Sequence, residues 1–246
     1  TKHRPTLLEP DRVVWPHGGA VVPMRIPLDC DFGFFVGAYL AEGCVLDHRV
    51  HISKNDAAYR DAARAWPARH GIDSHEATEE EHQHKSEGTP ISVVFHSTIL
   101  VELMVRTCGK LASDKRVPGF AFAAPDEFVR GLLDGYISGD GSTNERRAMM
   151  SASSPSHKLR DGLALLLARF GIGCRLSQRL AQSHATTEDD GVQTPLLYTL
   201  TINAESTRRF AKHVDLVLAC TRECCDIDSD GCMPSTSYDE LGNVRL

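Results

Sequence analysis

The chain has 246 residues, of which 41% are hydrophobic and 24% charged, and this composition predicts a globular protein of one large or two similar domains with a proper core. No segment could span a membrane, and the N-terminal residues carry no apolar run behind a basic stretch, so a secreted or membrane protein is not expected. The eight cysteines are therefore expected to be reduced thiols in an intracellular protein, cytoplasmic or nuclear according to the host. The net charge of −6 argues against a surface that attracts phosphate everywhere. A basic binding face on an otherwise acidic protein is still compatible with this charge.

The spacing of apolar residues predicts the same series of elements twice along the chain. The first series is a helix at 31–42, a strand at 44–53, a helix at 55–70, strands at 72–78 and 91–97 and a helix at 98–108. The second is a helix at 126–140, a strand at 143–153, a helix at 155–171, strands at 173–182 and 195–203 and a helix at 204–219. The predicted fold class is α+β, built from two related units.

Internal sequence similarity supports this duplication. FGFFVGAYLAEGC at 32–44 aligns with VRGLLDGYISGDGS at 129–142, and Gly71 and Gly171 end the next helix in each copy, 100 positions apart. The predicted organisation is an N-terminal extension (1–28), a first repeat (29–110), an inter-repeat linker (111–124), a second repeat (125–222) and a C-terminal tail (223–246).

Small residues form a stripe on the first helix of each copy. They recur every fourth position, at Gly33, Gly37 and Ala41 in one helix and at Gly131, Gly135 and Gly139 in the other. Residues four apart share one helix face. Each glycine costs a helix about 1 kcal/mol relative to alanine, so the stripes indicate close approach of two backbones, and Gly33, Gly37, Gly131 and Gly135 are predicted to line a helix interface.

Pairing the stripes would place Glu42 and Asp140 side by side at two helix C-termini, followed by Gly43 and Gly141, which could end the helices in the left-handed conformation. A helix C-terminus already carries partial negative charge, and a second carboxylate adds repulsion. A positive group is needed there, and a hard divalent ion such as Mg²⁺ prefers carboxylate and carbonyl oxygens.

Four segments together resemble a known family. FVGAYLAEG at 35–43 and LDGYISGDG at 133–141 resemble the two motifs of monomeric LAGLIDADG homing endonucleases. SDKRVPGFAF at 113–122 and LLLARFGIGCRL at 165–176 look like blocks found in the endonuclease domain of an intein.

The resemblance implies two pseudo-symmetric αββαββα repeats that form a DNA-binding saddle of antiparallel sheets. It also implies a monomer that makes a double-strand break in a long asymmetric double-stranded DNA target by phosphodiester hydrolysis dependent on Mg²⁺ or Mn²⁺.

Carried over residue by residue, the resemblance implies that Glu42 and Asp140 bind the metal, with the carbonyls of Ala41 and Gly139 as further oxygens. Lys115 matches the basic residue of the inter-motif block, which is expected to polarise the scissile phosphate or the attacking water. Lys212 stands in roughly the equivalent place of the second half.

Two features depart from the family pattern. Glu42 replaces the commoner aspartate, and the chain begins with Thr1 and ends Asn-Val-Arg-Leu, without the residues typical of protein splicing. Splicing by this chain alone is not expected. The endonuclease portion of an intein, an intein that has lost splicing and a free-standing enzyme all remain open.

Alternating strand residues give candidate DNA contacts, since an antiparallel ribbon fits the major groove and one face of it can carry the readers. A solvated outer sheet face would show the same alternation. The candidates are Arg49, His51, Ser53 and Lys54 in the first copy and Arg175, Ser177, Arg179, Thr199, Thr201 and Asn203 in the second.

The main alternative is a degenerate LAGLIDADG protein that binds DNA or RNA without cutting, such as a transcription regulator or a splicing maturase. Such proteins generally lack one or both acids, whereas both are present here. Cys220, Cys224, Cys225 and Cys232 lack the paired spacing of a structural zinc site and are interpreted as tail thiols.

Overall fold

The computed structural model describes residues 25–77, 91–144, 147–181 and 196–217 in full and the backbone alone of residues 6–9, 12–14, 22–23 and 78. The four cysteines of the C-terminal tail lie outside the described residues. No helix within the described ranges is long and apolar enough to cross a bilayer.

The elements follow the predicted order, with strands β1 (Thr6–Glu9), β2 (Arg12–Val14) and β3 (Val22–Pro23) pairing first in a small sheet. The first repeat contains α1 (Cys30–Glu42), β4 (Gly43–Leu46), β5 (Arg49–Ser53), α2 (Ala57–Arg69), β6 (Ser74–Thr78), β7 (Ile91–Phe95) and α3 (Thr98–Cys108). The second contains α4 (Asp126–Asp140), β8 (Ser142–Asn144), β9 (Met149–Ser154), α5 (His157–Arg169), β10 (Arg175–Leu180), β11 (Leu196–Ile202) and α6 (Ala204–Ala211).

Three details differ from the sequence-based expectation. The strands predicted at 44–53 and 143–153 are each a hairpin, β4–β5 and β8–β9, and the first turns at Asp47 and His48, which both have positive φ. Part of the predicted extension forms the β1–β3 sheet, and the linker contains short 3-10 helices at Ala112–Asp114 and Gly119–Ala123. Alternation continues through a tight turn, so periodicity alone does not mark where a strand reverses.

Each repeat contains one four-stranded antiparallel sheet with the same strand order, β4-β5-β7-β6 in the first and β8-β9-β11-β10 in the second. The inner face of each sheet packs on helices and contributes to a single hydrophobic core, through Val50 and Ile52 in one repeat and Leu200 and Ile202 in the other. The alternate residues face outward. The predicted α+β fold with two pseudo-symmetric repeats is confirmed.

Helices α1 and α4 pack against each other along their glycine stripes, as predicted. A Cβ added to Gly37 would overlap the carbonyl oxygen of Leu132, and one added to Gly135 would overlap that of Phe34. Gly33 and Gly131 are equally tight against Phe128 and Cys30. Backbone therefore contacts backbone at this interface, and no side chain larger than hydrogen fits.

Matching ion pairs fix the start of each motif helix. Arg69 at the end of α2 reaches Asp29, the N-cap of α1, at 2.9 Å, and Arg169 at the end of α5 reaches Asp126, the first residue of α4, at 2.5 Å. The two arginines are 100 positions apart in the sequence. The duplication thus extends to contacts that apolar periodicity does not reveal.

Candidate functional site

The paired helices bring Glu42 and Asp140 to neighbouring C-terminal ends. Gly43 and Gly141 follow with φ of −85° and −70°, so the left-handed termination expected for them is wrong. They are glycines because a Cβ would crowd the preceding turn, at Tyr39 for Gly43 and at Ile137 for Gly141.

The carboxylate of Asp140 lies in an unfavourable electrostatic setting. Although the residue is solvent-accessible, the protein around it reduces the hydration of the charged form, and Glu42 adds a second negative charge. Together they raise the pKa of Asp140 to about 6, against the opposing effects of Lys115 and Lys54. The Tyr136 hydroxyl is 3.5 Å from Oδ2 of Asp140, which is long for a hydrogen bond. The site concentrates negative charge at this end of the helix pair.

Lys54 supplies positive charge at the first acid. Its Nζ is 3.1 Å from Oε1 of Glu42 and also donates a hydrogen bond to the carbonyl oxygen of Gly139 on the other motif helix. The sequence analysis placed Lys54 among the candidate DNA contacts. The structure places it instead against the acid pair, because alternation along β5 turns Ser53 outward and the next side chain inward.

Lys115 supplies a second positive charge, under the end of α1. It is 6% exposed, and its Nζ donates to the carbonyl oxygens of Tyr39 at 2.9 Å and Leu40 at 3.0 Å. Burial lowers its pKa, while Asp140, Cys44 and Glu42 oppose that shift. The ammonium places positive charge at the negative end of α1, where the Tyr39 carbonyl also accepts a hydrogen bond from the backbone N–H of Gly43.

The structure does not bring Lys212 to the acids. It is an exposed residue at the C-terminus of α6, and the lysines that act on Asp140 are Lys115 and Lys54. The N-caps of α3 and α6, Ser97 and Asn203, are 106 positions apart. By that offset the second-half counterpart of Lys115 falls near residue 221, which lies outside the described residues.

The residues present fit a hard divalent cation. Two carboxylates and the backbone oxygens at two helix ends form an oxygen-only donor set. Burial and then the charge of Glu42 raise the pKa of Asp140, and the nearby lysines only partly oppose that shift. Within the described ranges no cluster of three or more His, Cys, Asp or Glu side chains could hold a metal by itself. Backbone carbonyls, such as those of Ala41 and Gly139, and oxygens from outside the chain would complete the coordination.

The outer face of the first sheet carries the predicted polar residues. Arg49 is exposed and His51 and Ser53 are half-buried, whereas the alternate residues Val50 and Ile52 are buried. Nε2 of His51 has no hydrogen-bond partner among the described residues, and burial and the charge of Arg49 lower the pKa of this imidazole. At neutral pH this face is expected to present Arg49 beside an uncharged His51.

The outer face of the second sheet is rich in hydroxyls. Arg175 lies opposite Thr201 in the strand register, and Ser177 lies opposite Thr199. Further across the sheet, Thr201 pairs with Ser151 of β9 and Thr199 with Ser153, so the polar rows continue. Arg179 is also exposed on β10. The two outer faces therefore differ chemically.

Asn203 does not belong to the polar row in which the sequence placed it. Strand β11 ends at Ile202, and the side chain of Asn203 accepts a hydrogen bond from the backbone N–H of Ser206 at 2.9 Å as the N-cap of α6. Asparagine is a preferred N-cap, and the helix that follows fixes this role.

One residue of the site was missed by the sequence analysis. Tyr59 of α2 is fully buried, and its hydroxyl donates to the carbonyl oxygen of Gly135 at 2.7 Å and lies against Gly139. It supports α4 one turn before Asp140. Its signal in the sequence is one of two aromatic residues on an alanine-rich helix, which does not indicate what it contacts.

The chain contains two repeats of this topology, joined at glycine-lined helices with an acid at each C-terminus. This arrangement defines the class of protein as one with the LAGLIDADG fold. Residues 127–215 match the family described as LAGLIDADG-like domain. The match covers most of the second repeat.

Two relatives are similar to parts of the chain. It is 38% identical over 159 residues to the RNA polymerase subunit Rpo1C of Methanocaldococcus jannaschii, and 30% identical over 139 residues to the DNA polymerase II large subunit of Thermococcus kodakarensis. The matches cover 63% and 53% of this chain. They span only 17% and 8% of those much longer proteins.

Solved structures share the fold at low sequence identity. The homing endonuclease I-DmoI in complex with DNA and Mn has a TM-score of 0.50 and 11% identity, over 76% of this chain and 97% of that one. The N-terminal LAGLIDADG domain of WhiA has a TM-score of 0.51 and 10% identity, over 78% and 83% of the two chains.

Proposed function

We propose that this protein is a site-specific endonuclease that uses a divalent metal, Mg²⁺ or Mn²⁺, to hydrolyse both strands of a long asymmetric DNA target. The observation that carries the proposal is the pair of acids from two different repeats at adjacent helix ends, where each helix leads into the first strand of its sheet. A DNA-binding protein without catalysis has no need for two carboxylates that repel each other.

Each part of the site has a role in this proposal. A metal bound at Glu42 and Asp140 would activate a hydrolytic water and stabilise the leaving oxygen. The outer faces of the two sheets would hold the duplex across the acids. Lys115 would place a positive charge beneath the reacting phosphates.

The asymmetry of the target follows from the two outer faces. Arg49 and His51 face one half-site, whereas Thr199, Thr201 and Arg175 face the other. Side chains of different hydrogen-bonding capacity select different base edges in the major groove. A symmetric palindrome would require equal faces.

We also propose that the protein is associated with an intein. The two relatives have different activities, and the similarity spans a small fraction of each. An element inserted in frame into unrelated genes would give this pattern.

Cleavage of a randomised DNA library in Mg²⁺ tests the function directly. We expect one asymmetric sequence family to be enriched among the cut products, with short 3′ overhangs as the family resemblance implies. The same selection without divalent metal is the control. Absence of any enriched cut sequence in Mg²⁺ and in Mn²⁺ would contradict the proposal.

A second candidate is a DNA-binding protein of the same fold that does not cut. The contact between Lys54 and Glu42 favours it, because an ammonium already neutralises one of the two acids. Binding without cleavage of the selected DNA in Mg²⁺ would support this alternative.

Arg175→Ala is expected to weaken binding of the selected DNA about tenfold, since an exposed arginine on the outer face would contact a base or phosphate. Affinity is measured by fluorescence anisotropy across a salt series. Arg106→Ala, which removes an exposed arginine paired with Glu102 on α3, is the charge-matched control and should bind as the wild type does. Equal losses in both variants would show that only net charge matters.

A further inference from the structure

The ammonium group of Lys54 joins the two halves of the acid site. It is hydrogen-bonded to a carboxylate oxygen of Glu42, from the first motif, and to the carbonyl oxygen of Gly139, from the second. The side chains of Lys54 and Glu42 are 25% and 29% exposed, so water and ions reach the pair. Two of the four ligand groups assigned to a metal are thus held by a cation that belongs to the chain.

The second repeat has no equivalent lysine. Ser53 and Gly71 have counterparts 100 positions later at Ser153 and Gly171, and by this offset Lys54 corresponds to Ser154. Ser154 is 5% exposed, and its hydroxyl accepts a hydrogen bond from the backbone N–H of Ser156 at 3.1 Å. The internal cation is therefore a feature of the first half alone.

An ammonium and a divalent ion cannot occupy the same two oxygens, because their like charges would repel strongly at a few ångströms. A metal that takes Glu42 and the Gly139 carbonyl as ligands must displace the Nζ of Lys54. The flexible four-carbon stem and partial exposure of the lysine allow this movement.

We propose that Lys54 is an exchangeable counter-ion that holds Glu42 and the Gly139 carbonyl in place and competes with the divalent metal for them. It is a positioning residue that sets the metal affinity of the first-half ligands. The inference rests on the proposed function in one respect, the assignment of these two oxygens as metal ligands.

A purely structural ion pair would behave differently. Its removal would lower stability by the same amount at every metal concentration, and would leave metal affinity unchanged. An exchangeable counter-ion predicts a change in affinity, so a metal titration of the protein without DNA separates the two roles.

Calorimetric titration of Mn²⁺ into DNA-free protein is the test. Lys54→Met, which keeps the length of the side chain and removes its charge, is expected to bind Mn²⁺ about fivefold more tightly than the wild type, the upper end of what one solvent-exposed ion pair contributes. Lys54→Arg should restore wild-type affinity. Lys110→Met, at an exposed lysine that ends the first repeat, controls for net charge and should change nothing.

The change must depend on Glu42. In a Glu42→Gln background, Lys54→Met should no longer tighten Mn²⁺ binding, since the competition has lost its main ligand. Lys54→Gln, which keeps a donor for the Gly139 carbonyl, replaces the methionine variant if that one does not fold. Equal or weaker Mn²⁺ affinity in the charge-neutral variant, including the case in which neither protein binds, would overturn the inference.

Failure of this inference is distinguishable from failure of the nuclease function. The titration contains no DNA, and the library selection uses only the wild-type chain. Tighter Mn²⁺ binding without any cleavage would support the counter-ion and contradict the enzyme. Cleavage with unchanged Mn²⁺ affinity would support the enzyme and contradict the counter-ion.

Discussion

Replacing Asp140 with asparagine is expected to lower the rate of DNA cleavage about a thousandfold or more. Asparagine has the same shape but carries no charge, so the metal loses its second anionic ligand and with it several kcal/mol of transition-state stabilisation. The rate is measured on the selected DNA in Mg²⁺ under single-turnover conditions. Asp140 is the more informative of the two acids to test, because Glu42 is already paired with Lys54 at 3.1 Å.

DNA affinity should survive this substitution. Removing a negative charge from a surface that faces phosphates leaves binding equal or slightly tighter, which an anisotropy titration measures. Asp114→Asn, an exposed acid in the linker, is the matched control and should cut at the wild-type rate. Wild-type cleavage by the Asp140 variant would remove this residue from the mechanism.

Gly37→Ala is expected to destabilise the protein by a net of about 2 kcal/mol. Alanine favours a helix over glycine by about 1 kcal/mol. The added Cβ would meet the Leu132 carbonyl oxygen and lie 2.8 Å from the backbone N of Tyr136. Backbone cannot rotate aside as a side chain can, so the two helices must separate. This separation should cost about 3 kcal/mol, the upper end for overpacking, and it outweighs the gain in helix propensity. Chemical denaturation measures the change in the free energy of unfolding.

Gly119→Ala makes the same chemical change at a place with open space. No atom outside its immediate neighbours lies within 4 Å of an added Cβ, so stability should stay the same or rise slightly. Comparing the two variants separates the general effect of a glycine-to-alanine change from its effect at the helix interface. A Gly37→Ala protein as stable as the wild type would show that α1 and α4 do not pack along their glycines.

The stripes and the acids were predictable because they repeat. Glycines recur at helical spacing at Gly33 and Gly37 on one helix and at Gly131 and Gly135 on the other. A helix face without side chains has few physical explanations besides close packing of two backbones. The strand alternation at Arg49 and His51 was equally readable, since burial on one face imposes a period of two.

The environment of the acids was not predictable in the same way. Lys54 follows a polar strand in the sequence and resembles its neighbours, yet its ammonium turns to Glu42 and Gly139. Asn203 continues an alternating row and instead caps a helix. The role of Asn203 depends on where β11 ends, and strand ends are set by hydrogen bonding to neighbouring strands. Lys54 lies on the inner side of β5, and the groups that its ammonium meets there depend on how the two repeats pack.

The sequence by itself determined the duplicated architecture, the pairing of two helices and the two acids at their ends, because each is a periodic or repeated pattern with a local physical cause. Only the tertiary structure decided which cations meet those acids. Lys54, Lys115 and Lys212 are alike in the sequence. The three-dimensional path of the backbone decides which side chains reach the acids. It places Lys54 and Lys115 at the site and leaves Lys212 exposed at the end of α6.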